Sequence, residues 1–143
     1  MATIGKDKRV LAETYNMMGY VYAQASLPDS GLVYTQKAMA VASESDSKDM
    51  LRYIYDTTAD NYIANKDYDL AIPFLRKSLR LFLKDPTYDT SIGYVYNNLS
   101  ESFLGAKMYD SSYYYAQKSI AFCKPIDMKD QLLESYEFVY KIF

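Results

Sequence analysis

Thr14-Tyr15-Asn16-Met17-Met18-Gly19-Tyr20-Val21-Tyr22 decides the fold, because versions of it return along the chain at a fixed interval. Tyr15 is echoed by Tyr55, Tyr96 and Tyr136, at separations of 40, 41 and 40 residues. A second aromatic follows each of them at a constant offset, as Tyr22, Tyr62, Phe103 and Phe143. A period between 20 and 50 residues is the signature of stacked structural repeats, in which each unit covers the apolar edge of its neighbour.

Around the first marker, Val10, Leu11, Thr14, Tyr15, Met18, Tyr22 and Ala25 fall at spacings of three and four, which predicts an amphipathic helix. Leu27-Pro28-Asp29-Ser30 predicts a turn. A second helix is expected from about Ser30 to Ser43, capped by Asp29. The same plan repeats. Ser47 is expected to cap a helix ending near Asn65, and Asp69 one reaching Lys84, with Pro73 in its first turn or just beyond. A helix from about Tyr88 to Ala106 follows, then one from Ser111 to Cys123 capped by Asp110. Pro86 and Pro125 end the second and third units, and Asp127 is expected to cap a last helix. Asp7 is read as the cap of the first. An Asp that accepts from the free N–H groups of a first turn contributes about 1 kcal/mol, so these aspartates read as structural.

Small residues recur in the same register: Gly19, Ala59 and Ser100; Gly31, Ala71 and Ser112; Ala38, Ser78 and Ser119. Small side chains let two helices cross closely, so each unit reads as an antiparallel helix hairpin. The expected units are 7–46, 47–86 and 87–126, with a final helix at 127–143, all in one domain of about seven helices. Tyr140 occupies the small position of the fourth marker, which suggests that the last helix caps the stack. The stop at Lys141-Ile142-Phe143, in mid-pattern, reads as excision from a longer protein.

The 143 residues are half hydrophobic and 24% charged, a composition that suits a folded domain. A net charge of -2 gives no long-range attraction for a polyanion, so nucleic acid is not an expected partner. There is no His and one Cys, which excludes His-dependent triads and His/Cys zinc sites; no glycine-rich phosphate loop is present. Asp56 and Asp60 are four apart on a helix but read as like charges on a wet face. The chain is not expected to be an enzyme, nor to need a cofactor or metal. Cys123 reads as a small buried filler. No apolar run approaches the length of a membrane span, and the charged start lacks a signal peptide's apolar core. The expected location is cytoplasmic if the chain is complete, and periplasmic if it is an excised sensor segment.

The repeated positions resemble those of the tetratricopeptide repeat (TPR) family, whose pattern is an aromatic, Leu, Gly, Tyr, then Ala, a large residue, Ala and Pro. Unit one reads Tyr15, Met18, Gly19, Tyr22, Gly31, Thr35, Ala38 and Ser43; unit two reads Tyr55, Thr58, Ala59, Tyr62, Ala71, Leu75, Ser78 and Leu83. Unit three reads Tyr96, Leu99, Ser100, Phe103, Ser112, Ala116, Ser119 and Lys124. The period of about 40 exceeds the usual 34, and the closing Pro is displaced. The resemblance implies an all-α, right-handed superhelix whose first helices line a concave groove for an extended peptide or a helix. Carried over position by position, that groove is Glu13, Asn16 and Tyr20, then Tyr53, Asp56 and Asp60, then Tyr94, Asn97 and Glu101.

These nine residues include no Lys or Arg. TPR clamps for acidic chaperone tails use Lys, Arg and Asn here, and only Asn16 and Asn97 match. The resemblance thus implies a protein-interaction or scaffolding module for a neutral or basic peptide with an apolar anchor. Long-period, tyrosine-rich arrays also resemble segments of bacterial sensor kinases and transcription regulators. The alternative is a self-associating or spacer segment. Lys37, Arg76, Lys77, Arg80 and Lys118 on the second helices read as a solvated exterior.

Overall fold

The computed structural model describes residues 4–85 and 89–143. The fold is all-α, with seven α-helices and no strand among the described residues. In order they are α1 (Ile4–Gln24), α2 (Pro28–Ser43), α3 (Leu51–Ala64), α4 (Tyr68–Lys84), α5 (Ser91–Gly105), α6 (Tyr109–Cys123) and α7 (Lys129–Ile142), with a 3₁₀ turn at Lys48–Met50 leading into α3. The chain forms two compact units, Met1–Ser78 and Leu79–Phe143, and the boundary falls inside α4. In the first, α2 packs on α1, and α3 packs on both. In the second, α6 packs on α5, and α7 packs on both. The expected turn at Pro86 and helix start at Tyr88 lie outside the described residues.

The small positions are where helices cross. Gly19 and Gly31 are buried at the contact of α1 with α2, and a Cβ on Gly19 would come within 2.6 Å of Thr35 Cγ2. A Cβ on Gly31 would run into the Asn61 amide. In the second unit the same crossing is made by serines that bond reciprocally: Ser100 Oγ donates to the Ser112 carbonyl (2.9 Å), and Ser112 Oγ to the Ser100 carbonyl (2.8 Å). Ser78 Oγ donates to the Arg52 carbonyl (2.6 Å) and Ser119 Oγ to that of Gly93 (3.4 Å), the same register position in successive repeats. These hydroxyls satisfy themselves on a neighbouring helix, which is how a polar residue is tolerated in a core. Ala12, Ala38, Ala42, Met50 and Ile54 form the apolar cluster beside the α1–α2 crossing. Cys123 is buried as expected, and burial raises its thiol pKa.

The helix starts differ from expectation. Asp29 and Asp110 are each the second residue of their helix, and the preceding caps, Leu27 and Met108, make no side-chain bond. Asp69 likewise lies in the first turn of α4 and Asp7 in that of α1. Ser47 precedes the 3₁₀ turn without a side-chain cap bond, and Met128 rather than Asp127 precedes α7. The aspartates therefore act on the free N–H groups through charge, worth about 0.3–1 kcal/mol, and not as caps. Pro73 lies within α4, just beyond its first turn, inside the range expected for it.

The reason for the early starts is the turn. Ser26, Lys66 and Lys107, again 40 and 41 apart, have φ of 58°, 61° and 61°. The N–H of the next residue returns to the helix just ended: Leu27 to the Tyr22 carbonyl (2.9 Å), Asp67 to Tyr62 (2.8 Å) and Met108 to Phe103 (2.8 Å). Each is a Schellman closure, which satisfies last-turn carbonyls and sends the chain straight into the following helix. Asp127 (φ 56°) makes a fourth before α7.

Candidate functional site

The aromatic markers work in pairs. Tyr34 of α2 lies between Tyr15 (ring centroids 6.1 Å) and Tyr22 (5.5 Å, planes 6° apart) of α1. Phe74 of α4 sits likewise against Tyr55 (6.0 Å) and Tyr62 (5.8 Å), and Tyr115 of α6 against Tyr96 (6.4 Å) and Phe103 (5.6 Å, 1°). Each second helix thus inserts one ring between the two of its first helix. Sequence reasoning missed Tyr34, Phe74 and Tyr115, although their own separations of 40 and 41 mark them. Lys37 Nζ lies 5.3 Å from the Tyr34 ring centroid, Lys77 5.4 Å from Phe74 and Lys118 5.4 Å from Tyr114. These lysines remain exposed, but they cover aromatic faces instead of only wetting a surface, a contact worth about 0.5–1 kcal/mol.

The nine residues expected to line a groove fall into distinct environments. On α1, Glu13 is exposed and Tyr20 is 45% exposed. Asn16 is half-buried, with its Oδ1 buried and meeting no donor among the described residues. On α3, Tyr53, Asp56 and Asp60 are half-buried, and the Arg52 guanidinium lies 5.1 Å from the Tyr53 ring centroid. Arg9 Nε is 3.4 Å from Glu13, and its Nη1 reaches both Asp49 oxygens (3.0 and 3.1 Å), tying α1 to the turn before α3. Two arginines therefore attend a surface expected to have none; neither occupies a groove register position, which is why the spacing did not reveal them.

On α5, Tyr94 is 49% exposed, whereas Asn97 is buried and is no open groove residue. Its Nδ2 donates to the Gln131 carbonyl (3.0 Å) and to Glu134 Oε2 (3.4 Å), and its Oδ1 accepts from Ser135 Oγ (2.7 Å). Asn97 was expected to line the groove. In fact α7 seats on it. Ser135 holds the register of Ile54 and Val95, both buried, so a polar residue there was the available sign of a polar fastening.

Glu101, half-buried on α5, has its pKa raised first by burial and then by the Glu134 charge, with Lys141 opposing. Glu134 is raised by burial and by Glu137, against the Asn97 hydrogen bond and Lys141. Glu134 was not among the expected site residues, yet it belongs with Glu101. The surface beside α5 is thus acidic and desolvated, with the exposed Tyr94 ring on the same helix.

Among the described residues no cluster of His, Cys, Asp or Glu could hold a metal ion, and no helix is long and apolar enough to cross a membrane. Comparison with protein-family models and with curated proteins finds no match to this chain.

Proposed function

We propose that this chain is a TPR-like interaction module that takes a neutral or basic peptide, or a helix, against the faces of its first helices. The observation that carries this reading is the pairing of exposed tyrosines with carboxylates: Tyr20 with Glu13 on α1, and Tyr94 with Glu101 on α5. Glu101, desolvated where Glu13 is exposed beside Arg9, gains most from a cation that arrives with its own apolar stem, so a Lys- or Arg-bearing segment with one large apolar anchor fits best. The exposed ring supplies an anchor at small entropic cost. By the same reading the chain serves a larger signalling or regulatory protein as its scaffolding segment.

Titration of a basic, Leu- or Phe-anchored peptide library by fluorescence anisotropy tests this. Tyr94→Ala is expected to weaken the best ligand about tenfold with melting unchanged, because its ring is half-exposed. Tyr53→Ala is expected to weaken the ligand on the first unit too, but with a small loss of melting temperature, because its ring is half-buried and carries the Arg52 guanidinium. An unchanged affinity in both variants, or a preference for acidic peptides, would sink the proposal.

A further inference from the structure

α7 packs on α5 and α6 and buries Ser135 and Phe138, while another of its sides carries an apolar ridge. Leu133, Tyr136, Tyr140 and Phe143, at spacings of three, four and three, are 62%, 49%, 83% and 88% exposed. An aromatic side chain presents about 150–250 Å², so the three rings and Leu133 leave on the order of 500 Å² of apolar surface in one strip. A patch of that size on a single chain marks an interaction site more often than a wet surface. Tyr113 of α6 meets the Phe143 ring edge-on (5.4 Å, planes 89° apart), which holds that ring at the end of the strip.

The chain shows three times over what covers this register. On α1 the matching residues are Ala12, Tyr15, Gly19 and Tyr22, none of them exposed, and α2 packs on that helix. α2 does so with a small residue, a ring three places on, a lysine three further and a small residue next, as Gly31, Tyr34, Lys37 and Ala38. The same four types stand at Ala71, Phe74, Lys77 and Ser78 of α4 and at Ser112, Tyr115, Lys118 and Ser119 of α6. In every case the ring enters between two aromatic markers and the small residues are buried. Tyr136 and Phe143 are a fourth pair of markers, and no described helix lies across them.

We propose that this face of α7 docks an amphipathic helix of a partner protein built on the same plan, small-x-x-ring-x-x-Lys-small, with its ring between Tyr136 and Phe143. Tyr140 stands where Gly19, Ala59 and Ser100 stand in the three hairpins, so the incoming helix rides higher than α2 does on α1 and carries glycine at the crossing, as α2 does at Gly31. Asp130 and Glu137, three before and four after Leu133, are both exposed and border the strip with negative charge. They favour basic residues along the adjoining edge of the helix. With about 500 Å² covered on each side, the contact buries about 1,000 Å² in all, the low end of specific interfaces, and is weak and reversible. Tyr94 and Glu101, which carry the peptide reading on α5, take no part in it.

The probe is a fluorescein-labelled peptide copy of α2, residues 28–43, held helical by a lactam bridge, because it carries the glycine, the ring and the lysine of the plan. Anisotropy titration with the whole chain is expected to give a Kd of about 10–100 µM, a helix ordered beforehand being spared the cost of folding. Tyr34→Ala in the probe is expected to weaken binding about tenfold. On the chain, Leu133→Lys sets a cation between Asp130 and Glu137 and so keeps α7 helical; it is expected to weaken binding about tenfold with melting unchanged. Tyr94→Ala is expected to leave the probe's affinity as it was, and sedimentation of the chain alone up to about 1 mM is expected to show a monomer. The proposal is overturned by no binding at about 1 mM, by binding that Tyr94→Ala weakens and Leu133→Lys does not, or by self-association of the chain that Leu133→Lys abolishes.

Discussion

Lys66 and Lys107 hold left-handed backbone, a conformation that costs an L-residue about 1–2 kcal/mol and glycine nothing. Lys66→Gly is therefore expected to stabilise the chain by about 0.5–1 kcal/mol, after the extra entropy of glycine in the unfolded state, and thermal melting checks it. Gly31 is the opposite case. Gly31→Ala drives a methyl into the Asn61 amide and disturbs its bond to Gly19, so a loss of about 1–3 kcal/mol is expected in denaturant titration. Glycine at 31 was legible because Ala71 and Ser112 share its register. The turns were not legible, because Ser, Lys and Lys carry no composition signal for left-handed backbone, and so the Asp residues just beyond them passed for caps.

At the level of the helix, two joints hold the units. One is the inserted ring. Phe74→Ala removes both aromatic contacts of α4 with α3 and is expected to cost about 2–3 kcal/mol, while Lys77→Ala costs under about 1 kcal/mol. The other is the polar fastening of α7. Asn97→Ala leaves Ser135 and Glu134 without their amide partner, an expected loss of about 2 kcal/mol, and hydrogen exchange should show α7 deprotected before α5 and α6. Helix number and pairing were readable from periodicity and small residues. The role of Asn97 was not, because the family pattern assigns that register to a groove and says nothing of a terminal helix that covers it.

For the molecule as a whole, the carboxylates beside α5 set the response to pH. Glu101 and Glu134 have folded-state pKa values raised by burial, so the folded chain binds protons more tightly than the unfolded one there. Their contribution favours folding below the unfolded glutamate value of about 4.3 and is lost as pH rises through the higher folded values. Glu101→Gln is accordingly expected to stabilise the chain at pH 7 and to lose that advantage near pH 4, as urea titrations at the two pH values would show. The exposed Arg9–Asp49 pair acts in the other direction, since its hydrogen bond lowers the Asp49 pKa, but solvent screening keeps its effect small.

The stacked rings have one more consequence. The chain has 17 tyrosines and no tryptophan, so its near-ultraviolet signal belongs to tyrosine and phenylalanine alone. Tyr22 and Tyr34 lie nearly parallel in the first unit, and Phe103 and Tyr115 in the second. Each hairpin thus carries its own optical label: in Tyr34→Leu or Tyr115→Leu, the circular dichroism lost at the tyrosine band would report the closing of one helix pair, without any added dye.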